Sequence, residues 1–270
     1  MDFNKVIFMT DLDGTLLTDD KRILDKDLAA IRRFREGGGI FTAATGRGYA
    51  MARRIVEDVL HLDVPSVLFN GAGVFDFKKN KFLWQCEIGG MAREYIRKLN
   101  DMFPEKLGFE VLHEQTVFVP FLNRTEREHL EMEGVVPDRR ALDDIPEGGW
   151  LKFVIAAEPN DLDEVQKTVE AGGFEKAQWV RSAPHYFECL PEGVDKSRGY
   201  AELIRILGAE DRFTVAAGDY MNDKSMIERA GLGAAPVNAL EAVRNAADLI
   251  VCDNNSGAIS EIIEYIEKLK

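Results

Sequence analysis

Two aspartates separated by one residue stand directly after a short apolar segment near the beginning of the sequence. Residues 5–10 are apolar and partly β-branched, which is typical of a buried strand, and Asp11-Leu12-Asp13-Gly14-Thr15 follows them. Alternation along an extended backbone puts Asp11 and Asp13 on the same side. Two carboxylates this close attract a hard divalent cation, typically Mg²⁺, and Gly14 allows the chain to turn away there. The motif therefore predicts a metal site.

The same five residues permit two other interpretations. Asp and Gly favour turns, so the motif also fits a plain turn without a ligand. A calcium loop requires a bidentate glutamate at its twelfth position, and Arg22 occupies that position when the count starts at Asp11. The calcium loop is therefore excluded, whereas the metal site and the plain turn both remain.

A second polar segment, Ala44-Thr45-Gly46-Arg47, lies between an apolar run and a predicted helix. A hydroxyl group, backbone amides and a helix N-terminus at one point form an anion site that suits a phosphoryl group. Thr45, Gly46 and Arg47 are therefore candidate phosphate-binding residues, although an ordinary threonine N-cap explains the pattern equally well. A dinucleotide fingerprint is excluded, because Met51 stands where the third glycine belongs.

Two later segments offer further polar groups. Asp219 and Asn222 lie in Gly218-Asp219-Tyr220-Met221-Asn222-Asp223, after another apolar run. Asp219 could complete a metal shell and Asn222 could donate to a phosphoryl oxygen, although acidic residues also favour a plain helix start. Lys196 stands near a predicted helix start, where a lone lysine is usually a solvated surface residue.

Short apolar segments that alternate with helical ones must position these residues. The strand-like segments are residues 5–10, 40–44, 66–69, 213–217, 231–235 and 249–251, and helical patterns lie between and after them. This alternation predicts an α/β fold with a Rossmann-like parallel-sheet core, with residues 66–69 as the third strand of its first half. The carboxyl ends of parallel strands share one edge, where such folds bind ligands.

The middle of the sequence follows a different pattern. Strand-like segments between about residues 74 and 190 are separated by short turns, as hairpins require, with helical stretches near 91–103 and 161–171. Residues 123–150 are predicted as a helix plus a loop. We therefore expect an inserted α+β domain with an antiparallel sheet. The predicted ranges are 1–80 and 190–270 for the core and 81–189 for the insertion.

Composition restricts the partners and the compartment. The 270 residues carry a formal charge of −13, which disfavours binding to a nucleic-acid backbone. The three cysteines and four histidines show no disulfide or zinc spacing, which suits a reducing interior. Neither a signal peptide nor an apolar run long enough to span a membrane is present. We therefore expect a cytoplasmic protein without nucleic-acid or membrane partners.

In combination, the four polar segments resemble the haloacid dehalogenase superfamily, specifically its Cof-type branch of small phosphatases with an inserted α/β cap. The resemblance covers nearly the whole chain. It includes Phe69-Asn70-Gly71-Ala72, Asn222-Asp223-Lys224-Ser225-Met226 and Val237-Asn238-Ala239. Tyr220 and Pro236 depart from the branch, where a small residue and methionine are common. Neither departure falls on a residue to which the resemblance gives a chemical role, but Tyr220 adjoins Asp219 and therefore bears on access of the substrate to the site rather than on the type of reaction.

The resemblance implies a role for each motif residue. Asp11 corresponds to the nucleophile, and Asp13 to the acid that protonates the leaving oxygen and later activates water. Thr45 and Lys196 correspond to the phosphoryl-binding pair, and Asn222 to a substrate contact. The implied Mg²⁺ ligands are Asp11, Asp13 through its main-chain carbonyl, and Asp219. Asp223 corresponds to a supporting group near the metal or Lys196.

The function that follows is a Mg²⁺-dependent phosphomonoester hydrolase that works through an aspartyl-phosphate intermediate. Its expected partner is a small phosphorylated metabolite: a sugar phosphate, a nucleotide or a cofactor phosphate. Two alternatives are a phosphomutase, which shares the aspartyl-phosphate step, and a catalytically silent regulator that binds a phosphorylated metabolite. The resemblance implies that the cap closes over the cleft and selects the substrate. A lid within one chain removes the need for a partner's lid, so we expect a monomer or a weak homodimer.

Overall fold

The computed structural model of the chain describes residues 1–269, which form two units. The core unit comprises residues 1–46, 53–84 and 195 onward, and the middle unit comprises residues 47–52 and 85–194. The divisions after Trp84 and after Val194 lie a few residues beyond the expected boundaries, and residues 47–52, which were predicted in the core, group with the middle unit. Lys270, the last residue of the predicted core range, lies outside the described residues.

The first part of the chain contributes five strands and two helices. They are β1 (Val6–Thr10), α1 (Asp25–Glu36), β2 (Ile40–Ala43), α2 (Tyr49–Val56), β3 (Ser66–Leu68), β4 (Gly73–Asp76) and β5 (Lys81–Gln85). A short 3-10 helix, Phe69–Gly71, separates β3 from β4.

The middle of the chain contributes three longer helices and five strands. They are α3 (Met91–Met102), β6 (Gly108–His113), β7 (Thr116–Phe121), α4 (Arg124–Glu133), β8 (Trp150–Ala156), α5 (Pro159–Glu170), β9 (Ala177–Ala183) and β10 (Tyr186–Pro191). The expected helix and loop over residues 123–150 are confirmed by α4 and the irregular segment after it.

The last part of the chain returns to alternating helices and strands. They are α6 (Lys196–Leu207), β11 (Phe213–Ala217), α7 (Lys224–Arg229), β12 (Leu232–Pro236), α8 (Glu241–Arg244), β13 (Leu249–Val251) and α9 (Ala258–Lys268). Within the described residues, no helix is both long enough and apolar enough to cross a membrane.

A five-stranded parallel sheet in the order β13-β12-β11-β1-β2 organises the core unit. All five residues of β1 are buried, as expected for a strand of a parallel sheet that is covered on both faces. Thr10 is in register with Ala217 of β11 and Ala43 of β2, so these three strands end at one level. The residues that follow them therefore meet at the same edge of the sheet.

The predicted fold class, a parallel-sheet α/β core with an additional antiparallel sheet, is confirmed. The third predicted strand is present as β3, but its assignment to the core sheet is wrong, because β3 belongs to a three-stranded sheet in the order β3-β4-β5. A single bridge, from Ala44 to Val67, continues the parallel pairing. The chain then turns through Asn70, whose φ of 53° is left-handed, and β4 pairs antiparallel with β3.

A five-stranded sheet in the order β7-β6-β8-β10-β9 organises the middle unit, and its neighbours pair antiparallel. Alternation along the strands separates two faces. One face packs with α3 and α5 into an apolar core that contains Phe109, Phe153 and Phe187. Glu110 and Lys152 lie on the opposite face and are also buried, so that face holds ionisable groups inside the unit.

Candidate active site

A buried ion pair connects Asp11 with Lys196 in the core unit. Asp11 continues the line of β1, and its main-chain N–H donates to the carbonyl of Ala217 over 2.8 Å. Lys196 is the first residue of α6, and its Nζ donates to Oδ1 of Asp11 over 2.6 Å. Asp195 caps that helix by accepting the N–H of Arg198, which fixes the first turn. Regular backbone therefore holds both members of the pair.

Asp223 connects Lys196 to the loop after β11. Its Oδ1 accepts from Nζ of Lys196 over 2.5 Å. Its Oδ2 accepts the main-chain N–H groups of Asp219 and Tyr220, over 3.0 and 3.1 Å. Both oxygens of this fully buried carboxylate are thus engaged within the protein. Asp223 positions the lysine and the loop at the same time, which makes it a positioning residue.

Asp219 lies beside the loop that carries the first motif. The hydroxyl of Thr15 donates to its Oδ1 over 2.9 Å. Gly14 has a φ of +74°, and a Cβ built on it would lie 2.5 Å from Oδ2 of Asp219. The glycine of the motif is therefore required twice, for its left-handed backbone and for the space that the carboxylate occupies.

The carboxylates of this edge carry more negative charge than Lys196 balances. Burial raises the pKa of Asp11 well above its usual range; Lys196 opposes the shift, and neighbouring carboxylates add to it. Burial, followed by repulsion from Asp223, raises the pKa of Asp219 to about 7. Burial acts against the charge of Lys196, yet Asp11 and Asp223 raise the pKa of its ammonium above its usual value. A bound cation would relieve this excess of negative charge.

The residues present fit a Mg²⁺ ion. Carboxylate oxygens of Asp11, Asp219 and Asp223 all lie within 4.8 Å of one another. Oxygen donors of this kind are the ligands that Mg²⁺ prefers. Asp11 and Asp219 belong to the predicted ligand set. The side chain of Asp13 does not belong to this cluster of three carboxylates. Its Oδ1 accepts from Nζ of Lys21 over 2.6 Å.

Asn70 lies between the predicted phosphate-binding segment and Asn222. The main-chain N–H of Asn70 donates to the carbonyl of Thr45 over 3.0 Å. Its side-chain Oδ1 accepts from Nδ2 of Asn222 over 3.0 Å. A Cβ built on Gly46 would lie 2.8 Å from that same oxygen. The structure therefore brings Thr45, Gly46 and Asn222 around one asparagine.

Arg47 has different surroundings from the residues before it. It belongs to the middle unit, where its guanidinium donates to Glu133 over 2.7 Å, and both side chains are largely buried. Its predicted role in phosphate binding stays a prediction, as do the roles of Thr45, Gly46 and Asn222.

Several residues that hold the first motif in place were not assigned a role from the sequence. Nδ2 of Asn238 donates to the carbonyl of Gly14 over 2.8 Å. Its Oδ1 accepts the main-chain N–H of Asn254, whose own Nδ2 donates to the carbonyl of Leu17 over 2.9 Å. The segment Val237-Asn238-Ala239 was part of the resemblance and is the one signal that could have indicated this contact. The sequence gives no comparable signal for Asn254.

The chain is similar to known proteins over almost its whole length. The family described as haloacid dehalogenase-like hydrolase matches residues 8–263. A 5-amino-6-(5-phospho-D-ribitylamino)uracil phosphatase of Bacillus subtilis (strain 168) is 27% identical over 260 residues, 94% of this chain and 93% of that protein. A pyridoxal phosphate phosphatase of Escherichia coli (strain K12) is 26% identical over 268 residues, 95% of this chain and 97% of that protein.

Solved structures share the fold. A haloacid dehalogenase-like hydrolase from Bacteroides thetaiotaomicron superposes with a TM-score of 0.81 at 24% identity, and the match covers 96% of this chain and 98% of that one. A similar protein from B. subtilis gives a TM-score of 0.82 at 22% identity, with 97% and 99% coverage. At these identities the likeness concerns the arrangement of helices and strands.

Proposed function

Because the chain belongs to the haloacid dehalogenase-like hydrolase family, we propose that it is a Mg²⁺-dependent phosphatase that hydrolyses small phosphate monoesters through Asp11. The match over residues 8–263 confirms the predicted family. The phosphatases among the relatives support the predicted enzyme class, which is also confirmed. The identity of the nucleophile, the intermediate, the metal and the substrate class are our proposals.

The arrangement of Asp11, Lys196 and Asp223 is the observation that carries this proposal. A carboxylate in line with a buried strand is held 2.6 Å from an ammonium group that a second buried carboxylate fixes. Phosphoryl transfer needs a positioned nucleophile and fixed positive charge around the phosphate oxygens. Lys196 supplies fixed charge at the nucleophile. A plain turn at Asp11 would not require this buried lysine.

In the first step, a carboxylate oxygen of Asp11 attacks phosphorus and forms an aspartyl-phosphate. The bond from phosphorus to the ester oxygen breaks, its electron pair goes to that oxygen, and Asp13 delivers a proton there, so an alcohol leaves. Lys196 and the segment at Thr45 stabilise the phosphate oxygens as charge is redistributed.

In the second step, Asp13 removes a proton from a water molecule, and the water oxygen attacks phosphorus. The bond between phosphorus and the Asp11 oxygen breaks, which restores the carboxylate and releases inorganic phosphate. One residue thus acts first as acid and then as base, as microscopic reversibility permits. Asp13→Asn is expected to lower turnover strongly, and full turnover in that variant would contradict the role.

Asp11 and Asp219 are the residues that would hold the Mg²⁺ ion, with Asp223 orienting the loop that carries Asp219. When bound, the ion supplies positive charge that neutralises phosphate oxygens and aligns the ester with the nucleophile. The raised pKa of Asp219, about 7 because of burial and the neighbouring Asp223, is the property that a cation would reverse.

The relatives suggest the substrate class. The B. subtilis and E. coli proteins are named as phosphatases of a ribitylamino-uracil phosphate and of pyridoxal phosphate. Both are small metabolites with one phosphate ester. We therefore extend the proposal to sugar phosphates, nucleotides and cofactor phosphates of comparable size.

Phosphate release tests the proposal. The chain and its Asp11→Asn variant are incubated with sugar phosphates, nucleotides, pyridoxal phosphate and p-nitrophenyl phosphate, each with Mg²⁺ and with a chelator. We expect release that requires Mg²⁺ and is abolished in Asp11→Asn. Asp25→Asn, which changes an exposed aspartate of α1, is the matched control and should keep full activity. Failure of the folded, Mg²⁺-loaded chain to release phosphate from any ester would contradict the proposal.

A further inference from the structure

The ion pair between Lys21 and Asp13 has no part in the roles assigned above. Nζ of Lys21 donates to Oδ1 of Asp13 over 2.6 Å. Resting on the proposed function, we propose that Lys21 positions the Asp13 carboxyl group for proton delivery to the leaving oxygen of the substrate. Lys21 is a positioning residue in this proposal, since it acts through Asp13.

The backbone around Lys21 presents its side chain in a defined direction. Lys21 has a φ of 61°, which is uncommon for a residue with a side chain. The N–H of Lys21 donates to the carbonyl of Thr18 over 2.8 Å, and the N–H of Thr18 donates to the carbonyl of Arg22 over 2.8 Å. These two bonds close a tight turn over residues 18–22. A left-handed residue in a closed turn indicates that the position of the lysine is specified by the fold.

Contacts from a distant part of the chain anchor that turn. Asn255 and Asp19 form two hydrogen bonds, from Nδ2 to Oδ2 and from the main-chain N–H of Asp19 to Oδ1 of Asn255, each over 3.1 Å. Nδ2 of Asn254 donates to Oδ1 of Asp19 over 3.1 Å and to the carbonyl of Leu17 over 2.9 Å. The turn that carries Lys21 is therefore fixed to the same core unit that holds Asp13.

Stability does not account for the ion pair. The side chains of Lys21 and Asp13 are 48% and 38% exposed, and ion pairs with this exposure contribute little to folding. A closed, anchored turn with a left-handed residue is an elaborate structure for a contact with so little effect on stability. A functional role explains why Lys21 contacts Asp13, the predicted acid of the reaction.

The chemistry gives the lysine a specific effect. With an ammonium group on Oδ1, the proton of the carboxyl group is directed to Oδ2. As the bond from phosphorus to the ester oxygen breaks, the proton moves from Oδ2 to that oxygen, the phosphoryl group stays on Asp11, and the carboxylate that remains keeps its contact with Lys21. An alkoxide leaving group needs this proton, whereas p-nitrophenolate leaves readily without it, because its ring and nitro group stabilise the charge.

The test compares kcat/KM for an alkyl phosphate, such as glycerol phosphate, with kcat/KM for p-nitrophenyl phosphate. For each ester, kcat/KM reports the steps up to the departure of the alcohol and does not depend on the later hydrolysis of the aspartyl-phosphate. In Lys21→Gln we expect kcat/KM for the alkyl ester to fall about fivefold, with little change for the aryl ester. Lys21→Arg, which keeps the charge, should restore the alkyl activity.

Arg22→Gln is the matched control. Arg22 stands in the same turn but pairs with Asp20, so its replacement should leave both esters unaffected. If kcat/KM in Lys21→Gln fell equally for both esters, or for neither, the role of Lys21 would be overturned, while the proposed phosphatase activity would be unaffected. A wild-type chain that cleaves neither ester nor any other phosphate monoester would overturn the proposed function and this inference together.

Discussion

Gly71 lies directly against the main-chain carbonyl of Asp195, the residue that caps α6. A Cβ built on Gly71 would be 1.9 Å from that oxygen and 3.0 Å from the main-chain nitrogen of Lys196. Gly71 also has a φ of +103°, which side chains disfavour. The glycine after Asn70 thus permits the close approach that sets Lys196 beside Asp11.

Replacement of Gly71 by alanine should therefore displace Lys196. Because the new methyl group collides with backbone rather than with a flexible side chain, α6 must shift at its first turn. A misplacement of about 1 Å can reduce catalysis on the order of 100-fold. We expect kcat/KM for phosphate esters to fall by that order, measured beside the thermal midpoint of unfolding.

Gly90→Ala is the control for this substitution. A Cβ on Gly90 would meet no heavy atom within 4 Å, so this variant should retain both activity and stability. Activity of Gly71→Ala equal to that of Gly90→Ala would show that the approach of Gly71 to Asp195 does not position the lysine.

Two buried glutamates in the middle unit should make its stability depend on pH. Glu110 and Glu126 are almost fully buried. Burial raises the pKa of Glu110 from 4.5 to about 7; Lys152 opposes this shift, and Glu188 and Glu133 add to it. Burial also raises the pKa of Glu126 well above its usual value, and Glu110 adds to that shift.

The sign of the effect follows from proton linkage. Above about pH 4.5 the unfolded chain loses these protons, while the folded chain keeps the proton of Glu110 until about pH 7, and the pKa of Glu126 is raised in the same direction. The folded state then binds more protons, so the free energy of unfolding falls as pH rises through this range. Glu126→Gln should flatten the slope in urea unfolding across these pH values. Glu128→Gln, an exposed change on the same helix, should keep the slope. An unchanged slope in Glu126→Gln would contradict the raised pKa of Glu126.

Mg²⁺ should stabilise the wild-type chain through Asp219. A ligand at about 100 times its dissociation constant adds about 2.7 kcal/mol to the free energy of unfolding. We expect a rise of several degrees in the thermal midpoint with Mg²⁺, and almost none in Asp219→Asn. Without metal, at about pH 8, Asp219→Asn should be more stable than wild type, because a buried and repelled carboxylate has been removed.

An equal rise of the thermal midpoint with Mg²⁺ in the wild-type chain and in Asp219→Asn would contradict this metal site. Asp25→Asn provides the control, since its exposed carboxylate is on α1 and should leave the Mg²⁺ shift unchanged.

The parts of the fold that the sequence predicted are those set by local pattern. The buried apolar run before Asp11 indicated a parallel strand, because a strand is apolar on both faces when helices cover both faces of its sheet. Asp11 and Asp219 were placed together because parallel strands present their carboxyl ends at one edge. The pairing of β3 could not be predicted in this way, since a three-residue strand carries too little pattern to specify its partner.

Contacts between side chains and distant parts of the backbone could not be predicted in detail from the sequence. The resemblance implied that Asp223 supports the metal or Lys196, yet only the fold shows that its Oδ2 accepts two N–H groups of the loop that carries Asp219 while its Oδ1 accepts from Lys196. Asn254 reaches Leu17 across 237 positions of the chain. No spacing rule connects residues so far apart, because their proximity depends on how the whole sheet assembles.

Asn254→Ala should weaken the loop that carries Asp13. The side chain of Asn254 is buried and satisfies the carbonyl of Leu17, which would lose its partner at a cost of about 1–3 kcal/mol. We expect a lower free energy of unfolding and a fall in kcat/KM that is larger for alkyl than for aryl phosphates, because Asn254 also anchors the turn that carries Lys21. The loss of stability distinguishes the variant from Lys21→Gln, since the exposed ion pair of Lys21 contributes little to folding. Asn255→Ala removes exposed hydrogen bonds to Asp19 and should cost less. Equal stability of the two asparagine variants would show that the buried contact with Leu17 does not hold the loop.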